Sequence, residues 1–152
     1  MALVDADYKF IWLVVGPDGV ASDAQIYNEC ELTEVLKNKT IDFPYPEPLP
    51  GDDRNIPYFF FADNAFQLKT DMMKLFPFRN MTVEDRIFNY RLSRTRSLVE
   101  NAFGIMSQRF QILLSTMQHS PDNVRIVVQA CICLHNLIGI RLPNMNINHV
   151  DR

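Results

Sequence analysis

The sequence predicts an α/β fold in which a small sheet is covered by helices. Two short apolar runs, residues 8–15 and 56–62, are rich in aromatic and β-branched side chains and read as strands. Helix-like stretches separate and follow them, giving the order strand, helix, strand, helix, long helix, long helix. The chain has 152 residues, 47% hydrophobic and 22% charged. That balance belongs to a globular chain of one ordinary domain, not to a disordered or fibrous one.

Each element follows from its local pattern. Residues 8–15, YKFIWLVV, stop at Gly16, Pro17, Asp18 and Gly19, a turn signal. The run is apolar on both faces apart from Lys9, which predicts a strand covered on both sides. Ala2, Leu3 and Val4 look like a partner strand, with Asp5, Ala6 and Asp7 as the hairpin turn. A strand this close to Met1 suggests a sheet that lacks its first strand. Ser22 is a plausible N-cap with Gln25 at the capping-box position, for a helix to about Asn38. Residues 40–55 carry four of the nine prolines and predict an extended surface loop. Residues 56–62, IPYFFFA, read as a fully buried strand, although periodicity alone leaves a buried helical turn open. Residues 68–76 predict a short helix stopped by Pro77. Thr82, with Asp85 three residues on, predicts the start of a long helix over 83–110. Asp122 is the expected cap of a last helix over 123–140, apolar on most faces and so expected to be buried. Residues 143–152 read as a flexible tail, leaving 1–142 as the domain.

Composition narrows the functional classes. A net charge of -3 argues against a protein that coats nucleic acid indiscriminately. The average hides an asymmetry: residues 1–80 carry 7 Lys and Arg against 13 Asp and Glu, and residues 81–152 carry 8 against 5. Contact with a polyanion is therefore expected from the C-terminal half. No apolar run approaches the roughly 20 residues of a membrane span, and no signal peptide is apparent, so no membrane partner is expected. Three cysteines without staple-like spacing argue against a disulfide framework.

Four features could carry chemistry. Asp63 follows the most apolar strand, at the carboxyl edge where open α/β sheets bind ligands. A carboxylate held there can coordinate a hard cation; it can equally be a turn or cap residue. Glu100 sits on the long helix in a stripe of small and polar neighbours, Ser93, Ser97, Gly104 and Ser107, or is an exposed acid paired with Arg96 one turn away. Arg91, Arg94 and Arg109 fall within about 60° of one another on a helical wheel, and could contact phosphates or form a solvated face. Cys131, Cys133 and His135 form C-x-C-x-H, but Cys133 points away from the other two. Buried packing with a hydrogen-bonded His135 is the expected role, not zinc.

Three segments carry a resemblance: FFFADNAFQLK at 59–69, FNYRLSRTRSLVENAFGIMSQRF at 88–110 and CICLHNLI at 131–138. Together with ALVDADYKFIWLVVG at 2–16 and SDAQIYNECEL at 22–32, they resemble the DDE superfamily endonuclease domain of PIF/Harbinger transposons and their domesticated nuclease-like relatives. The resemblance covers about residues 2–140. It implies an RNase H-like fold and an Asp, Asp, Glu triad holding two divalent cations, Mg²⁺ or Mn²⁺. Asp63 matches the second acid, with Ala62 in place of a glycine, and Glu100 matches the third within V-E-x-A-F-G. The implied chemistry is metal-assisted phosphodiester hydrolysis and strand transfer on DNA, in the nucleus and secondarily the cytoplasm. Asp5 and Asp7 do not match the motif of the first acid. A C-terminal part of a truncated RNase H-like fold with impaired activity is therefore expected.

Two further readings stay open. One is a catalytically inactive module that binds DNA, a protein partner or a second copy of itself. The other is a decayed transposon fragment. On the nuclease reading, Asp63 and Glu100 are expected to face each other across one cleft.

Overall fold

The computed structural model describes residues 1–15, 23–38, 40–41, 43–63 and 66–142. The elements are β1 (Ala2–Val4), β2 (Phe10–Leu13), α1 (Asp23–Glu29), α2 (Glu31–Lys37), β3 (Glu47–Pro48), β4 (Asn55–Ile56), β5 (Phe60–Phe61), β6 (Met72–Met73), α3 (Val83–Arg109) and α4 (Pro121–Arg141). A short 3-10 helix, Gln111–Leu114, precedes α4. The architecture is mixed α/β. Among the described residues the strands form three separate pairs, β1 with β2, β3 with β4 and β5 with β6. The chain divides into two compact units, Met1–Pro17 with Ser97–Arg152, and Asp18–Arg96.

In the first unit β1 and β2 form the expected antiparallel hairpin, pairing Ala2 with Leu13, Leu3 with Trp12 and Val4 with Phe10. Asp5 makes the turn: its carboxylate accepts the backbone N–H groups of Asp7 and Lys9, both at 2.9 Å. Tyr8 takes a left-handed conformation, φ 64°, to close it. A core of Phe10, Ala102, Met106, Cys131 and Ile132 joins the hairpin to the last turns of α3 and to α4, with Leu13, Phe110 and Val128 packed around it. Phe10 lies edge-on to Phe103 and to His135. Burying one such side chain contributes roughly 1.5–3 kcal/mol. The backbone of Phe10 is held on its other side by a side chain. Its N–H donates to Asn136 Oδ1 and its carbonyl accepts from Asn136 Nδ2, both at 2.9 Å.

Two expectations for this unit are corrected. The hairpin is not covered on both faces, for Ile11 is 63% exposed. Nor is α4 buried on most faces: Cys131, Ile132 and His135 are buried, while Ile126, Leu134, Leu137 and Ile140 face outward. By length and composition α4 is long and apolar enough to cross a membrane, contrary to the expectation that no run approaches such a span. Its cap also moves. Ser120, not Asp122, accepts the N–H of Asn123, because Pro121 at the first helical position sets the start two residues earlier.

The second unit departs further from its local patterns. The helix expected from Ser22 to Asn38 is two helices broken at Cys30, whose backbone is extended. The carbonyl of Tyr27 accepts both the Cys30 thiol and the Thr33 hydroxyl there, so buried polar contacts replace helical ones. Ser22 itself, the turn at 16–19 and the tail at 143–152 lie outside the described residues. The extended 40–55 segment contains one short antiparallel pairing, Glu47 with Ile56 and Pro48 with Asn55. Asp52 and Arg54 pair at its tip, Nη2 to Oδ2 2.6 Å, and this holds the Asp52 carboxyl down to about 2.

The run at 56–62 is not one buried strand: Pro57 offers no N–H, Ile56 ends the pairing with Glu47 and Phe60–Phe61 starts another, with Tyr58 and Phe61 exposed. Residues 68–76 form no helix. Lys69 and Met72 close a turn through their own backbones, and Met72–Met73 joins Phe60–Phe61 in parallel. Long-range pairing overrides the local helical pattern here.

The long helix starts as read. The Thr82 hydroxyl accepts the N–H of Asp85 at 3.2 Å, and Asp85 Oδ2 accepts the N–H of Thr82 at 2.9 Å, a reciprocal capping box. One turn later, buried Asn89 clamps Phe76: its Oδ1 accepts the Phe76 N–H at 2.9 Å and its Nδ2 donates to the Phe76 carbonyl at 3.0 Å.

Candidate functional site

Asp63 is positioned by the parallel pair of β5 and β6. The Phe60 N–H donates to the Asp71 carbonyl and the Ala62 N–H to that of Met73, both at 2.9 Å. The backbone is thus fixed up to the residue before Asp63. The chain then turns, and the Asp63 carbonyl accepts the Phe66 N–H at 3.1 Å. Asp63 Oδ1 lies 3.3 Å from Nη1 of Arg96, with the two side chains 43% and 48% exposed. Asp63 is therefore a turn residue by its backbone and an ion-paired acid by its carboxylate.

Arg96 comes from α3, four residues before Glu100 on the same helix. Besides the expected neighbour Glu100 one turn on, Arg96 thus has a carboxylate partner from outside its own helix. A separation of 33 positions hides this contact from any helical wheel. Glu100 is exposed. Asp63 and Arg96 belong to the Asp18–Arg96 unit, whereas Glu100 belongs to the unit of Ser97–Arg152. At Gly104, in the stripe of small residues around Glu100, an added Cβ would meet nothing within 4 Å among the described residues.

The three arginines separate. Arg91 and Arg94 are exposed on α3. Arg109 is half-buried, with Nη1 3.5 Å from Nδ1 of His135, so it does not share their exposed character. Burial lowers the pKa of Arg109 from its ordinary value.

The C-x-C-x-H residues behave as packing. Cys131 is buried and Cys133 exposed. His135 Nε2 lies 2.8 Å from the Tyr8 carbonyl. Burial raises the Cys131 thiol pKa. Among the described residues no group of three or more His, Cys, Asp or Glu could hold a metal ion.

Sequence reasoning missed the two asparagine clamps and the ion pair at Asp63. A helical asparagine facing inward among apolar positions is the one signal that could have flagged Asn89, since a buried amide needs partners.

The family model described as DDE superfamily endonuclease matches residues 1–136. No curated protein and no solved structure matches the chain.

Proposed function

The chain belongs to the DDE superfamily endonuclease family, and from that premise we propose that it is a transposase-derived nuclease-like domain of the PIF/Harbinger type. Its substrate class is DNA and its compartment the nucleus. The segments at 59–69, 88–110 and 131–138 support the subtype and, with it, an RNase H-like ancestry. We assign Asp63 and Glu100 the roles of the second and third family acids, and Arg91 and Arg94 the role of phosphate contacts, with Arg109 subsidiary because it is half-buried.

Divalent metals are general to the superfamily. The described residues do not fit a two-cation centre. A pair of cations needs several converging carboxylates, and no group of three metal-binding side chains occurs among those residues. Asp63 faces a guanidinium instead. A half-exposed carboxylate of this kind suits one hydrated Mg²⁺ or Mn²⁺ that keeps most of its waters. Phosphodiester cleavage by this chain is accordingly impaired, and DNA engagement outlasts turnover.

The ion pair of Asp63 with Arg96 is the observation that carries this reading. Supercoiled plasmid incubated with Mn²⁺ tests it. Wild type is expected to nick no faster than an Asp63→Ala control prepared in parallel. Nicking by wild type that the control loses would overturn the impairment.

A further inference from the structure

We propose that the outward face of α4 docks a second copy of this chain, with the two α4 helices packed antiparallel.

The face is built from five positions. Ile126, Ala130, Cys133, Leu137 and Ile140 stand four, three, four and three residues apart, the spacing that lines up one seam along a helix. All five are exposed, Ile126 at 62% and Ile140 at 66%, and exposed Leu134 widens the stripe. The opposite side of α4 is already covered, with Cys131 and Ile132 buried in the core against Phe10, Ala102 and Met106. Between Arg125 and Arg141 the helix carries no Asp, Glu, Lys or Arg, so covering the seam strands no such charge.

Charge selects the partner and its direction. α4 has an acid in its first turn, Asp122, and a base in its last, Arg141. Antiparallel packing of two copies sets each acidic first turn level with the other copy's basic last turn. Parallel packing would instead set Arg125 beside Arg125 and Arg141 beside Arg141. The seam is also its own complement about Cys133, with Ile126 and Ile140 seven residues to either side.

A membrane is the other surface that an apolar helix could meet. α4 is tied to its hairpin instead, for Asn136 holds both backbone groups of Phe10 and His135 Nε2 lies 2.8 Å from the Tyr8 carbonyl. A helix lying flat on a membrane carries a face rich in Lys and Arg, and α4 offers Arg125 and Arg141 alone. One pair of helices about 31 Å long covers less than the roughly 800 Å² per partner of a standard interface, so the dimer is concentration-dependent, with a dissociation constant in the micromolar range.

The test is sedimentation equilibrium of the whole chain over about 5–500 μM, a range that brackets such a constant. Wild type is expected to rise from the 17.7 kDa of one chain toward twice that mass. Leu137→Lys puts a charge on the seam at an exposed position, and is expected to weaken association at least tenfold while keeping its melting temperature. Ile11→Lys, at an exposed apolar residue of β2, is expected to associate as wild type does. Arg141→Glu should weaken the dimer, and Asp122→Lys added to it should restore the strength. Cys133 is the exposed one of the three cysteines, so a short bis-maleimide should join two chains through it at concentrations where the dimer forms. A mass that stays at one chain throughout, a dimer that Leu137→Lys leaves intact, or one that Ile11→Lys disrupts equally would overturn the proposal. Charge variants without effect would overturn the antiparallel direction. A monomer that floats with phosphatidylcholine and phosphatidylserine vesicles, and no longer does so as Leu137→Lys, would give the face to a membrane and overturn the second copy.

Discussion

Burial favours the neutral form of His135, and both of its ring nitrogens have partners. Arg109 can only donate, so Nδ1 facing it must carry the lone pair, and Nε2–H then donates to the Tyr8 carbonyl. Burial lowers the pKa of this imidazole below its ordinary value; the Tyr8 bond pulls the other way and the Arg109 charge adds to the lowering. A depressed histidine contributes stability that is present above its unfolded pKa, near 6.5, and is lost as pH falls below that value. Thermal melting between about pH 7.5 and 5.5 should therefore show falling stability toward acid, with the slope reduced in His135→Gln. An unchanged slope would mean that His135 does not control it. Single residues were unevenly legible in the sequence. The place of Asp63 after a strand and the packing of His135 could be read because strand ends and helix faces are local. Asn136 could not, since the backbone it holds lies 126 positions away.

Elements were legible where the pattern and the tertiary contacts agree. The capping box at Thr82 and Asp85 specifies the start of α3 from four consecutive residues, and the structure uses both of its bonds. Thr82→Ala should lower stability by about 1 kcal/mol, measured as a fall in the urea midpoint with an unchanged slope. A helix boundary written this locally survives translation from sequence to structure. The helices expected at 22–38 and 68–76 did not survive intact, for opposite reasons. At Cys30 a thiol and a hydroxyl converge on the Tyr27 carbonyl and divide the first into two. At Met72 a parallel partner strand satisfies backbone groups that a helix would otherwise have paired internally. Neither competitor leaves a periodic trace. The exposed side of α4 shows a related limit, because hydrophobicity predicts that a face favours burial but not that a neighbour exists to cover it.

For the molecule as a whole, the asymmetry of charge sets the expected behaviour toward DNA. The net charge of -3 opposes broad attraction, so binding should be weak, indifferent to sequence and steeply dependent on salt. Two exposed arginines, Arg91 and Arg94, give a log–log salt slope of about -1.8, at roughly 0.9 per phosphate neutralised. Replacing both with alanine should flatten the slope, and replacing half-buried Arg109 should alter it less. Fluorescence anisotropy of a labelled duplex at several salt concentrations measures this, and a slope unmoved by the double change would return the basic face to ordinary solvated surface. The amide of Asn136 has a consequence at the same scale. Phe10 would otherwise turn an open N–H and C=O pair outward from the edge of a two-stranded ribbon, and such open pairs are where foreign strands dock. One side chain on α4 occupies both groups. At that position the ribbon presents a finished edge, and cross-chain β-pairing, the usual route from a short exposed strand to a fibril, has no free backbone there on which to start.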